Sequence, residues 1–176
     1  IDLDDGTISS TSDWSAQALL DAKVSINSDT RNIYTWNATG DDRADFTLAN
    51  VDSANFSATS LSQYAGWNAT QKANATAGAL VNYLRGQHEF EMRSDGTHTV
   101  LNNRLFRQRE HVLGDIIDSS PVFVKKPPFR YSDSGYATFV GANAGREGTL
   151  YVGANDGMLH AFDAETGQER WAYVPR

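Results

Sequence analysis

The chain has 176 residues, with 15 Lys and Arg against 22 Asp and Glu, so it carries a formal net charge of −7. That acidic balance argues against nucleic acid as a partner, because phosphate backbones demand clustered Lys and Arg. Zero Cys excludes a disulfide framework, a thiolate nucleophile and a Cys-based metal centre within these residues, and no apolar run approaches the roughly 20 residues that span a bilayer.

Counting glycine in and tyrosine out, about 44 % of the residues are apolar, just under the range typical of soluble domains, and the length allows one ordinary domain or two small ones. The first residue is Ile1 rather than Met, which reads as an excised or processed piece of something longer.

Residues 1–59 are rich in Asp, Asn, Ser and Thr and predict a β-rich leading segment with one short helix and a thin core. Asp13 is placed to cap that helix, which carries Trp14, Ala18 and Leu19. Residues 31–36 and 45–48 are expected as short strands around the turn-like run from Ala38 to Asp42. A helical segment is expected over 60–86, where Ala73, Ala77, Leu80, Val81 and Leu84 fall on one face. Ser60 or Ser62 starts it, Gly66 interrupts it and Gly86 ends it. Residues 87–110 are polar and basic, with His88, Arg93, Arg104, Arg107 and Arg109, and predict an exposed connection without core.

Residues 111–176 read as a four-strand antiparallel meander. Residues 112–117 and 121–124 are β-rich, 136–142 alternate like a half-buried strand, and 149–153, 158–163 and 169–174 follow as strands. Asn155-Asp156-Gly157 and Ala164-Glu165-Thr166-Gly167 supply the hairpin turns, with glycine where positive φ is needed. Such a sheet is the size of one propeller blade. The fold expected is therefore mainly β with one or two helices, a partial β-propeller containing one blade.

The string from Gly157 to Trp171 is similar to the repeat of quinoprotein propellers, G-x-L-x-A-(L/F)-D-x-x-T-G-x-x-x-W. Leu113-Gly114-Asp115-Ile116-Ile117-Asp118-Ser119-Ser120-Pro121-Val122, followed by Tyr151-Val152-Gly153-Ala154-Asn155-Asp156-Gly157-Met158-Leu159-His160-Ala161-Phe162-Asp163, resembles the C-terminal region of the PilY/PilC family of type IV pilus biogenesis factors and tip adhesins. Trp14-Ser15-Ala16-Gln17, Arg31-Asn32-Ile33-Tyr34-Thr35 and Leu80-Val81-Asn82-Tyr83-Leu84-Arg85-Gly86 are similar to weaker landmarks of that family. The resemblance implies a large exported parent from a Gram-negative bacterium, located at the outer membrane or pilus tip. It further implies a non-enzymatic role in pilus extension, surface attachment and twitching motility, with minor pilins and host or abiotic surfaces as partners. The alternative is a fragment of a quinoprotein-type dehydrogenase that binds pyrroloquinoline quinone.

Candidate sites are weighed against simpler roles. Asp2-Leu3-Asp4-Asp5-Gly6 and Asp41-Asp42-Arg43-Ala44-Asp45 lack the spacing of a calcium loop and read as solvated acidic turns; the resemblance implies that a calcium loop, where the family has one, lies further along the propeller of the full-length parent. Arg85-Gly86 is followed by Gln87, so the carboxylate of an integrin-type Arg-Gly-Asp triplet is missing. His111, Asp115, Asp118 and Ser119 have hydrolase chemistry but no nucleophile-elbow motif, and His160 reads as a partly buried strand histidine. Asn37, Asn55, Asn68 and Asn74 fit the N-x-S/T pattern, as composition alone explains. No catalytic, cofactor-binding or metal-binding residue is assigned. The sheet edge expected to stand open after Arg176 invites non-native self-association.

Overall fold

The computed structural model describes residues 11–37, 40, 42–51, 56–93 and 104–175. In chain order these residues form α1 (Ala16–Asp21), β1 (Ile33–Asn37), β2 (Asp42–Asp45), two 3-10 turns (Ala58–Ser60 and Ser62–Gly66), α2 (Ala69–Asn74) and α3 (Ala77–Leu84). They continue with β3 (Val122–Val124), α4 (Tyr136–Ala142), β4 (Thr149–Gly153), β5 (Leu159–Asp163) and β6 (Glu169–Val174). The strands make one sheet in the order β2-β1-β6-β5-β4-β3.

The blade is the antiparallel run β3-β4-β5-β6, with Leu150 opposite Phe162 and His160 opposite Ala172. The two hairpins close as expected, because Gly157 and Gly167 hold φ of +86° and +71°. The leading segment joins the same sheet: β1 runs parallel to β6, pairing Ile33 with Ala172 and Thr35 with Val174. That parallel union is non-local, and no hairpin signal announces it.

Among the described residues, two cores hold the layers. Ile33, Phe46, Val81, Met158 and Ala172 pack as one cluster, so a helix face, a strand of the leading segment and the blade share the same dry interior. Ala58, Ala75, Ala79, Leu105 and Phe106 form the second. Full burial of side chains the size of Phe46 contributes on the order of 2 kcal/mol each.

Several expectations are corrected. Residues 136–142 form helix α4, because Tyr136, Phe139 and Val140 also suit a helical i, i+3, i+4 face, and Gly135, at φ +84°, turns the chain into it. Residues 112–117 form no strand; they pack against the turn before β5, with the Asn155 N–H donating to the Asp115 carbonyl at 2.9 Å. β3 thereby becomes the first strand of the meander. The strand expected at 45–48 lies at Asp42–Asp45, since Phe46 turns inward and the chain then bends at Thr47. Ser15 rather than Asp13 caps α1, accepting from the Ala18 N–H at 3.3 Å.

The helical face read through 73–84 is broken at Ala75. Thr76 accepts from the Ala79 N–H and starts α3 afresh, while Asn68 and Gln71 form a capping box on α2. Residues 87–93 and 104–110 are no exposed connection: Gln87, Glu91, Leu105 and Phe106 are buried. Arg93 and Arg109 there are partners of buried Glu91, which is why their charge misleads.

Candidate functional site

The described residues that converge chemically do so beneath the junction of the leading segment and the blade. His160 lies on the inward side of β5, has no exposed surface, and stacks on Phe162 with ring centroids 5.5 Å apart. Its Nδ1 faces Glu169 Oε1 at 2.9 Å, and its Nε2 faces Asp156 Oδ2 at 3.0 Å. Asp156 is supplied by the β4–β5 turn and Glu169 by the first position of β6.

Each carboxylate is already engaged by other donors. Asp156 accepts from the Gly114 N–H at 3.2 Å and the Met158 N–H at 3.0 Å. Glu169 accepts from Arg31 Nε at 2.9 Å and Nη2 at 2.8 Å, a fork in which both side chains are about 1 % exposed. Arg31 Nη1 donates onward to the Arg85 carbonyl at the end of α3, and Lys23 Nζ donates to the Glu169 carbonyl at 2.6 Å. Buried ionic groups are tolerated only when paired and hydrogen-bonded, as Glu169 is by Arg31.

The electrostatics follow from those contacts. Burial acts against the ionised forms, yet Arg31 and His160 hold the Glu169 carboxyl down at about 2. Burial also opposes the ionised form of Asp156, and the bonds from His160, Gly114 and Met158 overcome it and lower its pKa. For His160 burial disfavours the charged ring, and the two carboxylates outweigh it and raise its pKa.

A second ion cluster abuts the first. Arg85 Nε donates to Asp29 Oδ2 at 2.9 Å, Arg85 Nη1 to the Phe46 carbonyl and Gln87 Nε2 to Asp29 Oδ2. Burial opposes the charged form of Asp29, but these donors hold its pKa below the usual carboxylate range. Arg85-Gly86-Gln87 is therefore a helix stop with an inward-turned arginine, and Gly86 at φ +113° has no room for a Cβ beside Val112. A third cluster centres on buried Glu91, bound by Arg93 Nε at 2.8 Å and Arg109 Nε at 2.7 Å, with Arg109 also over the Tyr83 ring.

The hydrolase-like set does not assemble. His111 Nδ1 pairs with Asp21 at 2.7 Å, Asp115 contributes its backbone carbonyl, Ser119 Oγ accepts from the Gly153 N–H at 3.2 Å, and Asp118 sits at φ 59°. Among the described residues no hydrogen bond joins any two of these four. His111 and Asp115 do line an open groove of about 490 Å³ that also touches Arg107, Arg109, Gly114 and Asp156. Asp2, Asp4, Asp5 and Asp41 lie outside the described residues. Asp42 and Asp45 are three apart on strand β2, so their side chains leave opposite faces and do not converge. Among the described residues, no three His, Asp or Glu groups are disposed to hold a metal ion. Of the N-x-S/T positions, Asn68 and Asn74 belong to the capping and last turn of α2, Asn37 ends β1, and Asn55 lies outside the described residues.

The propeller-type repeat has a packing explanation at each landmark. Gly167 takes a left-handed φ, and its missing Cβ is where the Trp14 ring lies. Asp163 accepts from the Glu165 and Thr166 N–H groups of the turn, and Trp171 packs on Tyr151 at 5.8 Å between centroids. His160, Glu169 and Asp156 were not singled out together from sequence. The signal available was a histidine, a turn Asp and a strand-start Glu, all facing inward in a hairpin whose register the glycines fix.

Comparison with known proteins agrees with this geometry. Residues 113–176 match the family model described as the PilY1 beta-propeller domain. A curated "Type IV pilus biogenesis factor PilY1 homolog" of Xylella fastidiosa is 42 % identical over 127 residues, covering 68 % of this chain. The "Type IV pilus biogenesis factor PilY1" of Pseudomonas aeruginosa strain UCBPP-PA14 is 36 % identical over 180 residues, covering 94 % of this chain. The chain spans only 10 % and 13 % of the lengths of these two relatives. No solved structure matches.

Proposed function

Because residues 113–176 belong to the PilY1 beta-propeller family and the chain is a partial propeller, we propose that it serves in type IV pilus biogenesis as a non-catalytic blade with its leading segment clamped on. The observation that carries this reading is the shared core and sheet: β1 pairs with β6, and Arg31 of the leading segment engages Glu169 of the blade. Side chains with chemical potential are committed to that union, which suits a load-bearing or presenting module better than a reaction centre.

In this proposal the parent acts at the cell surface or pilus tip, supports extension, attachment and twitching, and meets minor pilins and the contacted surface. No cofactor is assigned to these residues, and calcium, where the parent uses it, is held by residues of the parent outside this chain. The dehydrogenase reading is not favoured, because the repeat that suggests it is explained by turn and packing roles. No helix among the described residues is long and apolar enough to cross a membrane.

A chimera tests the proposal. The aligned segment of the Pseudomonas relative is replaced by this chain in a strain lacking that relative, and sheared surface pilin is measured. Restored surface pilin with a colourless purified protein is the expected result. A chimera that is exported and stable yet leaves the cells bald contradicts it.

A further inference from the structure

The outer donors and acceptors around His160 are fixed, and they determine its proton count without reference to any titration. Asp156 receives a backbone N–H on each oxygen, Oδ1 from Met158 and Oδ2 from Gly114. Glu169 receives an Arg31 donor on each oxygen, Nε on Oε2 and Nη2 on Oε1. A carboxylate occupied in this way is ionised and only accepts. Both ring nitrogens of His160 face such oxygens at 2.9–3.0 Å, so both must donate. A neutral imidazole, itself without exposed surface, would aim one bare lone pair at a carboxylate.

We infer that His160 is a buried imidazolium whose second proton latches the leading segment to the blade: Asp156, His160, Glu169 and Arg31 form an alternating, neutral chain of four charges that holds only while that proton is present. The chain crosses every element of the junction. It starts at the 113–115 loop through Gly114, passes through the β4–β5 turn, β5 and β6, and ends in the leading segment and the α3 stop through Arg31 and the Arg85 carbonyl. The other charged groups packed against it are Lys23, on the Glu169 carbonyl, and Arg85 with Asp29, which satisfy one another. None of them replaces the proton if His160 loses it. The remaining charges would then sum to −1, with the buried Glu169–Arg31 fork bearing the imbalance.

The sign follows from linkage. His160 binds its proton more tightly folded than unfolded, so the latch is complete below the unfolded value near 6.5 and weakens as pH rises through the folded value. The carboxylates set the other limit, since Glu169 and Asp156 release their protons more readily when folded and their own contribution is lost only in acid. A mildly acidic to neutral medium is thus the closed condition, and an alkaline one opens the junction while leaving the β4–β5 pairing in place.

Two measurements on the unaltered 176-residue chain test this. Nitrogen-15 correlation spectra of the His160 ring at pH 7 are expected to show two protonated nitrogens. One protonated and one bare nitrogen overturns the inference. Amide hydrogen exchange from pH 6 to 10, corrected for intrinsic rates, then reads the latch. Protection of the Ala172 N–H, which bonds Asn32, is expected to fall by up to about tenfold per pH unit once His160 titrates, ahead of the Leu150 and Phe162 pair in β4 and β5. Protection that stays flat, or that falls equally across the sheet, shows that the proton does not latch this junction.

Discussion

At the scale of single residues, Glu169 carries the heaviest responsibility, because it is about 1 % exposed and answers two cations, Arg31 and His160. Removing its charge strands both. Glu169→Gln is expected to cost about 3–5 kcal/mol in urea unfolding, as breaking one partner out of a buried ion pair does. Glu165, whose pair with Lys125 at 3.4 Å is largely exposed, sets the contrast: Glu165→Gln is expected to cost at most about 1 kcal/mol. Equal losses in the two variants would contradict the assignment of the buried network as the stabilising one. The same residue sets an acid limit. Its folded pKa of about 2 lies below the usual 4.5, so its contribution is full above pH 4.5 and disappears as the pH falls toward 2. Unfolding free energies measured across that window should decline in the wild type and stay flatter in Glu169→Gln.

At the scale of elements, local chemistry explains most boundaries, and some of it was legible. The hairpins of β4, β5 and β6 followed from Gly157 and Gly167, and β4 and β6 occupy the residues expected on either side of those turns. The pattern at 136–142 misled because short apolar spacings suit a strand or a helix, and Gly135 together with the Asp133 carbonyl decided for the helix. The break at Ala75 was hidden because the apolar face continues across it; what interrupts the helix is the competing Thr76 cap. Asn68 illustrates how a capping residue can pass for a glycosylation pattern. Asn68→Ala removes the α2 capping box and is expected to cost about 1 kcal/mol, with faster amide exchange confined to Gln71 and its neighbours. Unchanged exchange there would show that tertiary packing alone holds α2.

At the scale of the whole molecule, the partial propeller could be foreseen and its attachment could not. A parallel pairing of β1 with β6 joins residues some 140 positions apart, and periodicity carries no information at that range. The ionic junction was equally hidden, since Arg31, His160 and Glu169 look like unrelated polar residues until register brings them together. The edge expected to stand open after Arg176 is covered, because β1 pairs with β6, and the open flank lies at the other end of the blade. β3 is the last strand, and its Val122 and Phe123 are 57 % and 58 % exposed. Apolar edges of this kind pair with other chains. The isolated chain is expected to self-associate with rising concentration in sedimentation velocity, and Phe123→Lys to shift it toward monomer. Identical sedimentation of the two proteins would place any association elsewhere.

On the function proposed above, this segment works in pilus biogenesis as a non-catalytic part of a propeller. The most direct measurement is sheared surface pilin from the source bacterium after the codons for residues 11–175 are excised in frame from the natural gene, with total cellular pilin as the reference. The account predicts a large loss of surface pilin at unchanged cellular pilin. Surface pilin and attachment at wild-type levels, with the shortened protein still exported, would contradict it.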